Sequence, residues 1–123
     1  MTTTLEQIKS LFNSAARERE NAYGYAIKAM LQSKDDNSAE AKQNIELIKE
    51  GNLKWEKFVS EAVELFKKAS GEERREILRF VSGMASAQAK VLNKQRLNIQ
   101  AGAIRDTAKL FVDSTKQIKP LKV

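Results

Sequence analysis

Residues 45–69 read IELIKEGNLKWEKFVSEAVELFKKA, and this stretch decides the fold class. Ile45, Ile48, Asn52, Trp55, Val59, Ala62, Phe66 and Ala69 recur at steps of three and four, the spacing that lines one face of an α-helix. Gly51 weakens such a helix by about 1 kcal/mol relative to Ala without ending it. Asn52 places an amide in an otherwise apolar seam, where a polar side chain can set register at some cost in stability.

The same spacing continues upstream. Leu5, Ile8, Phe12, Ala15, Arg19, Ala22, Ala26 and Ala29 form a seam about four heptads long, opened by a Thr cap at Thr3 or Thr4 and ending near Gln32 or Ser33. Arg19 is its one charged member. The polar run Ser33 to Ser38 is the clearest loop, with Asn37 or Ser38 suited to cap the next helix. Downstream, Ser70-Gly71-Glu72-Glu73 reads as a C-cap glycine followed by an acidic helix start. The mixed-sign patch Glu72-Glu73-Arg74-Arg75-Glu76 is accounted for by dipole compensation and i,i+4 pairing.

From Glu72 to about Gln117 there is no Pro and no loop-like cluster. One helix there would run about 70 Å, against about 45 Å for each of the first two. Its apolar phase shifts, however: Leu78, Val81, Ala85, Gln88 and Leu92 make one seam, and Leu97, Ala101, Ile104, Ala108, Phe111, Thr115 and Ile118 another, separated by a five-residue step. Either the helix breaks between Asn93 and Arg96 to give four helices, or it continues and its halves face different neighbours. The absence of a breaker from Val91 to Gln100 favours a continuous or merely bent helix. The expected architecture is therefore an all-α antiparallel bundle of three long helices in one domain, 1–123, the third bent or broken near residues 93–96 to give a fourth segment, with a frayed basic tail from about residue 117. The small-residue run Ser82 to Ala89 and the alanines of the first helix read as closely approaching helix surfaces, either the core between two antiparallel helices or, in part, an intermolecular seam. Trp55, Phe58, Phe66, Phe80 and Phe111 are the expected large core side chains. A third helix overhanging its partners leaves an apolar seam to be covered, which predicts a homo-oligomer, a dimer first.

Among the 123 residues there is no Cys and no His. That removes thiol nucleophiles, imidazole acid–base chemistry, disulfides and zinc sites of the usual N/S kind. Gly-rich phosphate loops are absent, and the Glu-x-x-His pairs of helical di-iron proteins cannot be completed. No enzyme activity, cofactor or metal is expected. The N-terminus lacks the features of a signal peptide and no apolar run nears ~18 residues, so the expected location is the cytoplasm, with no transmembrane segment.

The formal net charge is +6, and residues 93–123 hold seven basic and two acidic groups. On one continuous helix Lys90, Lys94, Arg105, Lys109 and Lys116 would fall within roughly 100° of arc. Such a stripe suits a phosphate backbone, an acidic protein face or an anionic lipid surface. No aromatic is interleaved with it, so stacking on unpaired bases is poorly supported. Tyr25, opposite the seam of the first helix and beside Gly24, is a candidate contact for a protein partner, together with Leu97, Ile104 and Phe111 on the third helix. The function these features predict is a non-enzymatic helical protein–protein interaction module: an oligomeric adaptor, scaffold or inhibitor. The rival readings are a nucleic-acid-associated accessory protein gripping phosphates with the basic stripe, and a protein that opens its amphipathic helices onto an apolar or anionic interface.

Overall fold

Thr3 opens the first helix as the sequence predicts. Its hydroxyl accepts from the Glu6 N–H at 3.1 Å, while its own N–H reaches the Glu6 carboxylate at 3.3 Å. This reciprocal pair satisfies two otherwise orphaned donors. In the computed structural model, which describes residues 3–31, 39–94 and 97–118, helix α1 then runs Thr4–Leu31. Helix α2 follows at Ala39–Lys68. The expected loop 33–38 and its cap, and the tail from residue 119, lie outside the described residues.

Ser70 is the N-cap of α3 (Gly71–Arg79), so Gly71 is the first residue of a helix and not the C-cap of the previous one. The Ser70 hydroxyl accepts from the Glu73 N–H, and the Glu73 carboxylate accepts from the Ser70 N–H, both at 3.2 Å. The Ser70 N–H first, then the Ser70 and Thr4 hydroxyls, hold the Glu73 carboxyl below its ordinary range. The end of α2 is closed from the same side. Arg74 donates from Nε to the Phe66 carbonyl at 3.1 Å and from Nη2 to the Lys67 carbonyl at 2.8 Å, placing a cation where α2 exposes its last acceptors.

A π-helical turn, Phe80–Met84, joins α3 to α4 (Ala85–Lys94) without interrupting the helix. The expectation of one long continuous helix fails after that point. Helix α5 (Asn98–Thr115) begins afresh at Leu97, whose φ of −95° and ψ of 59° are not helical. Leu97 N–H donates to the Leu92 carbonyl at 2.8 Å, a five-residue step in place of the α-helical four. The break thus falls at the phase shift between Leu92 and Leu97. Two apolar seams of different phase cannot both be covered from one straight helix; the reversal buries Ala101, Phe111 and Thr115 of the second, while Gln88 of the first stays exposed. Helix α5 turns back along α4 and inserts against α1 and α2, so no single helix of about 70 Å forms and the argument for self-association that rested on its overhang falls away.

The result is an all-α bundle, with no strand among the described residues. Among the described residues its centre is made by Ile8, Phe12 and Ala15 from α1, Val59, Ala62 and Phe66 from α2, Ile77 from α3 and Phe111 from α5, with Val81 from the π turn. Phe12 meets Phe80 and Phe66 meets Phe111 edge to face, with centroids 6.0 and 5.8 Å apart. Phe66 and Phe111 are buried as expected. Trp55, Phe58 and Phe80 are only half-buried, packed on the margin of this cluster.

Two faces are turned relative to the expected seams. On α2 the buried line passes through Asn44 and Gly51, leaving Ile45 half-exposed at 49% and moving Asn52 to the margin. Gly51 is the reason: a Cβ there would lie 3.3 Å from the Ala22 Cβ and 3.3 Å from the Glu18 carbonyl oxygen, so α1 passes directly over it. On the other side, the run Ser82 to Ala89 is not a close-packed helix surface along its length. Ser82, Gly83, Ser86, Ala87 and Gln88 are all exposed. The wider π turn spends an extra residue, so counting by threes and fours across it loses the buried face.

Candidate functional site

The reversal at Leu97 redistributes the expected basic stripe. Lys90 and Lys94 lie on α4, Arg105 and Lys109 on α5, and Lys116 just past the end of α5, all exposed. Lys116 Nζ is 3.8 Å from Asp113 Oδ1, so it is partly occupied within its own turn. Instead of one arc on one helix, the cations form two rows on neighbouring helices. Where the α5 row faces the π turn and the start of α4 runs a groove of about 390 Å³ with Val81, Ala108 and Val112 at its base, Ser82 and Ser86 on one wall, and Arg105, Lys109 and Asp113 on the other; Lys90 and Lys94 lie beyond it along α4. The two serines were not among the expected site residues, because Ser in a run of small residues carries no sequence signal of an open wall.

The four candidate interface residues separate into two pairs. Tyr25 and Leu97 come together: with Glu20, Asn21, Gly24, Lys28, Asn98, Ile99 and Gln100 they line a cleft of about 450 Å³ where α5 starts beside α1. Leu97 and Ile99 remain 40% and 39% exposed there, and a Cβ on Gly24 would meet nothing within 4 Å. Ile104 and Phe111 face the core. Phe111 is 2% exposed against Phe66 and offers no surface to a partner, while Ile104 is half-buried and packs on the same cluster. They faced inward once α5 folded back, because the seam that would have been uncovered on a continuous helix is the one α1 and α2 now cover.

A third group joins three helices through polar side chains. Arg19 donates from Nη1 to Asn52 Oδ1 at 2.6 Å and from Nε to Asp106 Oδ2 at 3.1 Å. Its guanidinium lies 4.3 Å from the centre of the Trp55 ring, and Trp55 Nε1 donates to Thr107 Oγ1 at 2.9 Å. The Tyr23 hydroxyl donates to the same Asp106 oxygen, and this bond, then burial, raises its pKa above the ordinary value of 10.0. The Thr107 hydroxyl in turn donates to the Ala103 carbonyl at 2.7 Å. The sequence marks Arg19 and Asn52 as polar members of apolar seams, and the structure pairs them with each other. Asp106 and Thr107 carry no such mark. The arrangement has the chemistry of a register device: a half-buried cation whose donors are matched on both neighbouring helices, with no nucleophile or free acid–base pair presented to a substrate.

Among the described residues no group of three or more acidic side chains is placed to hold a metal ion, and no helix is long and apolar enough to cross a membrane. Comparison with known proteins returns no match: no family model, no curated protein and no solved structure is significantly similar to this chain.

Proposed function

We propose that the chain is a non-enzymatic helical interaction module that takes a protein partner in the cleft between α1 and the start of α5. The observation that carries this reading is the meeting of Tyr25 and Leu97, 72 positions apart in sequence, in one open cleft. Tyr25, Leu97 and Ile99 supply an apolar centre, and Glu20, Asn21, Lys28, Asn98 and Gln100 a polar margin. That division, an apolar middle with a hydrogen-bonding rim, is the anatomy of a protein interface. The helices on either side are held by the Arg19–Asp106 and Tyr23–Asp106 bonds one or two turns away, so the cleft is preformed and little ordering entropy is lost on docking.

A photo-crosslinking residue at position 25, with the same residue at exposed Leu53 on α2 as control, tests the reading in the native host. The expected result is one protein captured from position 25 and not from position 53, which then binds the purified chain directly. Leu97→Asp should weaken that binding at least tenfold, since it puts a charge in the apolar centre. Equal capture from both positions, or binding indifferent to Leu97→Asp, would reject the cleft. A captured second copy of this chain would identify the partner as itself, and light scattering would then give twice 13.9 kDa.

A further inference from the structure

We infer that the groove between α4 and α5 is a phosphate-backbone site, and that its ligand is double-stranded nucleic acid. The groove shares no residue with the α1–α5 cleft, and the inference does not depend on what that cleft binds. One wall offers the hydroxyls of Ser82 and Ser86, the other the cations of Arg105 and Lys109. Among the described residues neither hydroxyl has a hydrogen-bond partner and neither cation has an ion pair. Asp113, the one carboxylate in the groove, stands within 3.8 Å of Lys116, which offsets its repulsion of an anion.

Two neutral donors facing two cations is the donor set that phosphate oxygens take. Serines and arginines alike contact phosphate in nucleic-acid complexes, where such contacts position the protein without reading sequence. Length favours a polymer over a single phosphate. Lys90 and Lys94 follow Ser86 at successive four-residue steps, each about 6 Å along the helix, so the α4 row continues for two turns beyond the groove. Chemistry favours a duplex over a single strand, because no aromatic side chain lines the groove to stack on an unpaired base.

Fluorescence anisotropy with a short mixed-sequence DNA duplex, repeated across a range of salt concentrations, tests this. Each phosphate engaged contributes a log–log slope of about −0.9, so Arg105→Gln with Lys109→Gln should flatten the slope by about 1.8. Ser82→Ala with Ser86→Ala removes hydrogen bonds and no charge. It should weaken binding about fivefold at every salt concentration and leave the slope unchanged. Lys54→Gln with Lys57→Gln, equal in charge and exposed on α2, should leave both quantities unchanged. All six side chains are exposed, and circular dichroism checks that each variant keeps its helix content. Four results would overturn the inference: no duplex binding at low salt, equal flattening by the α2 pair, no effect of the serine pair, or competition by poly-glutamate as strong as by unlabelled duplex. The last would assign the groove to an acidic protein instead.

Discussion

Arg19 on α1 and Asp106 on α5 close an ion pair across two helices, Nε to Oδ2 at 3.1 Å, whereas Lys49–Glu46, Lys67–Glu64 and Lys116–Asp113 each join residues three apart in the chain. The short-range pairs are exposed and contribute little to stability. The cross-helix pair is a quarter to a third exposed and sits in a wider network, since Arg19 also donates to Asn52 and Asp106 also accepts from Tyr23. Asp106→Asn should therefore destabilise the fold by about 1–2 kcal/mol in urea unfolding, the worth of a hydrogen bond to a charged group reduced for the pair's partial exposure. Combined with Arg19→Gln it should cost less than the sum of the two single changes, because both remove the same bond. Full additivity would mean that the pair is not coupled.

Tyr23 gives the fold an alkaline dependence whose sign follows from its raised pKa. The folded state favours the protonated phenol that donates to Asp106, and the unfolded state loses that proton near pH 10. The bond's contribution is thus complete below about pH 10 and is lost as pH climbs through the higher folded value. Followed by tyrosinate absorbance, wild type should show a late-titrating phenol that Tyr23→Phe removes. Identical curves for the two proteins would contradict the bond.

Glycine positions separate helix propensity from packing. Gly102 has open space where a Cβ would go, so Gly102→Ala should gain about 0.5–1 kcal/mol by the helix preference alone. Gly51→Ala should forgo that gain and lower the melting temperature, because its methyl would press on the Glu18 carbonyl oxygen, a backbone atom with no rotamer to change. Stabilisation by both changes would mean that α1 and α2 do not meet closely at this point.

Phe66 is 4% exposed and meets Phe111 edge on, so Phe66→Ala should cost roughly 3–5 kcal/mol, as other large-to-small core changes do. Leu53, 66% exposed on the same helix, supplies the contrast: Leu53→Ala should stay within about 0.5 kcal/mol of wild type. Denaturant midpoints for the two variants that coincide would show that α2 faces the other way.

The seam from Leu5 to Ala29 carried α1 correctly because each apolar residue there packs within one α-helical period. The five-residue step from Leu92 to Leu97 also marked the true reversal, although the lack of a Pro or Gly nearby argued for continuity. Breaker residues are only one cause of a helix end. Here the cause is tertiary, the burial of the second seam against α1 and α2, and its one local signature is the phase shift itself. The Arg19–Asn52 contact was half legible, since both residues interrupt apolar seams. Asp106 was not, because nothing within its own helix shows that the partner sits 87 positions earlier. The same limit hid Ser82 and Ser86, whose role depends on the wall opposite them.

The π turn at Phe80–Met84 gives this helix a spare residue. Losing one position from an ordinary α-helix swings everything beyond it by about 100°, which on α2 would carry Phe66 out of the core. A helix that already contains an over-long turn can shed a residue by tightening that turn into α, keeping its two halves in phase. Gly83, exposed and with open space where a Cβ would go, is the position whose removal forfeits the least. The loss of a single residue is therefore best tolerated at the turn between α3 and α4, inside a run of helix where a deletion would otherwise rotate one half against the other.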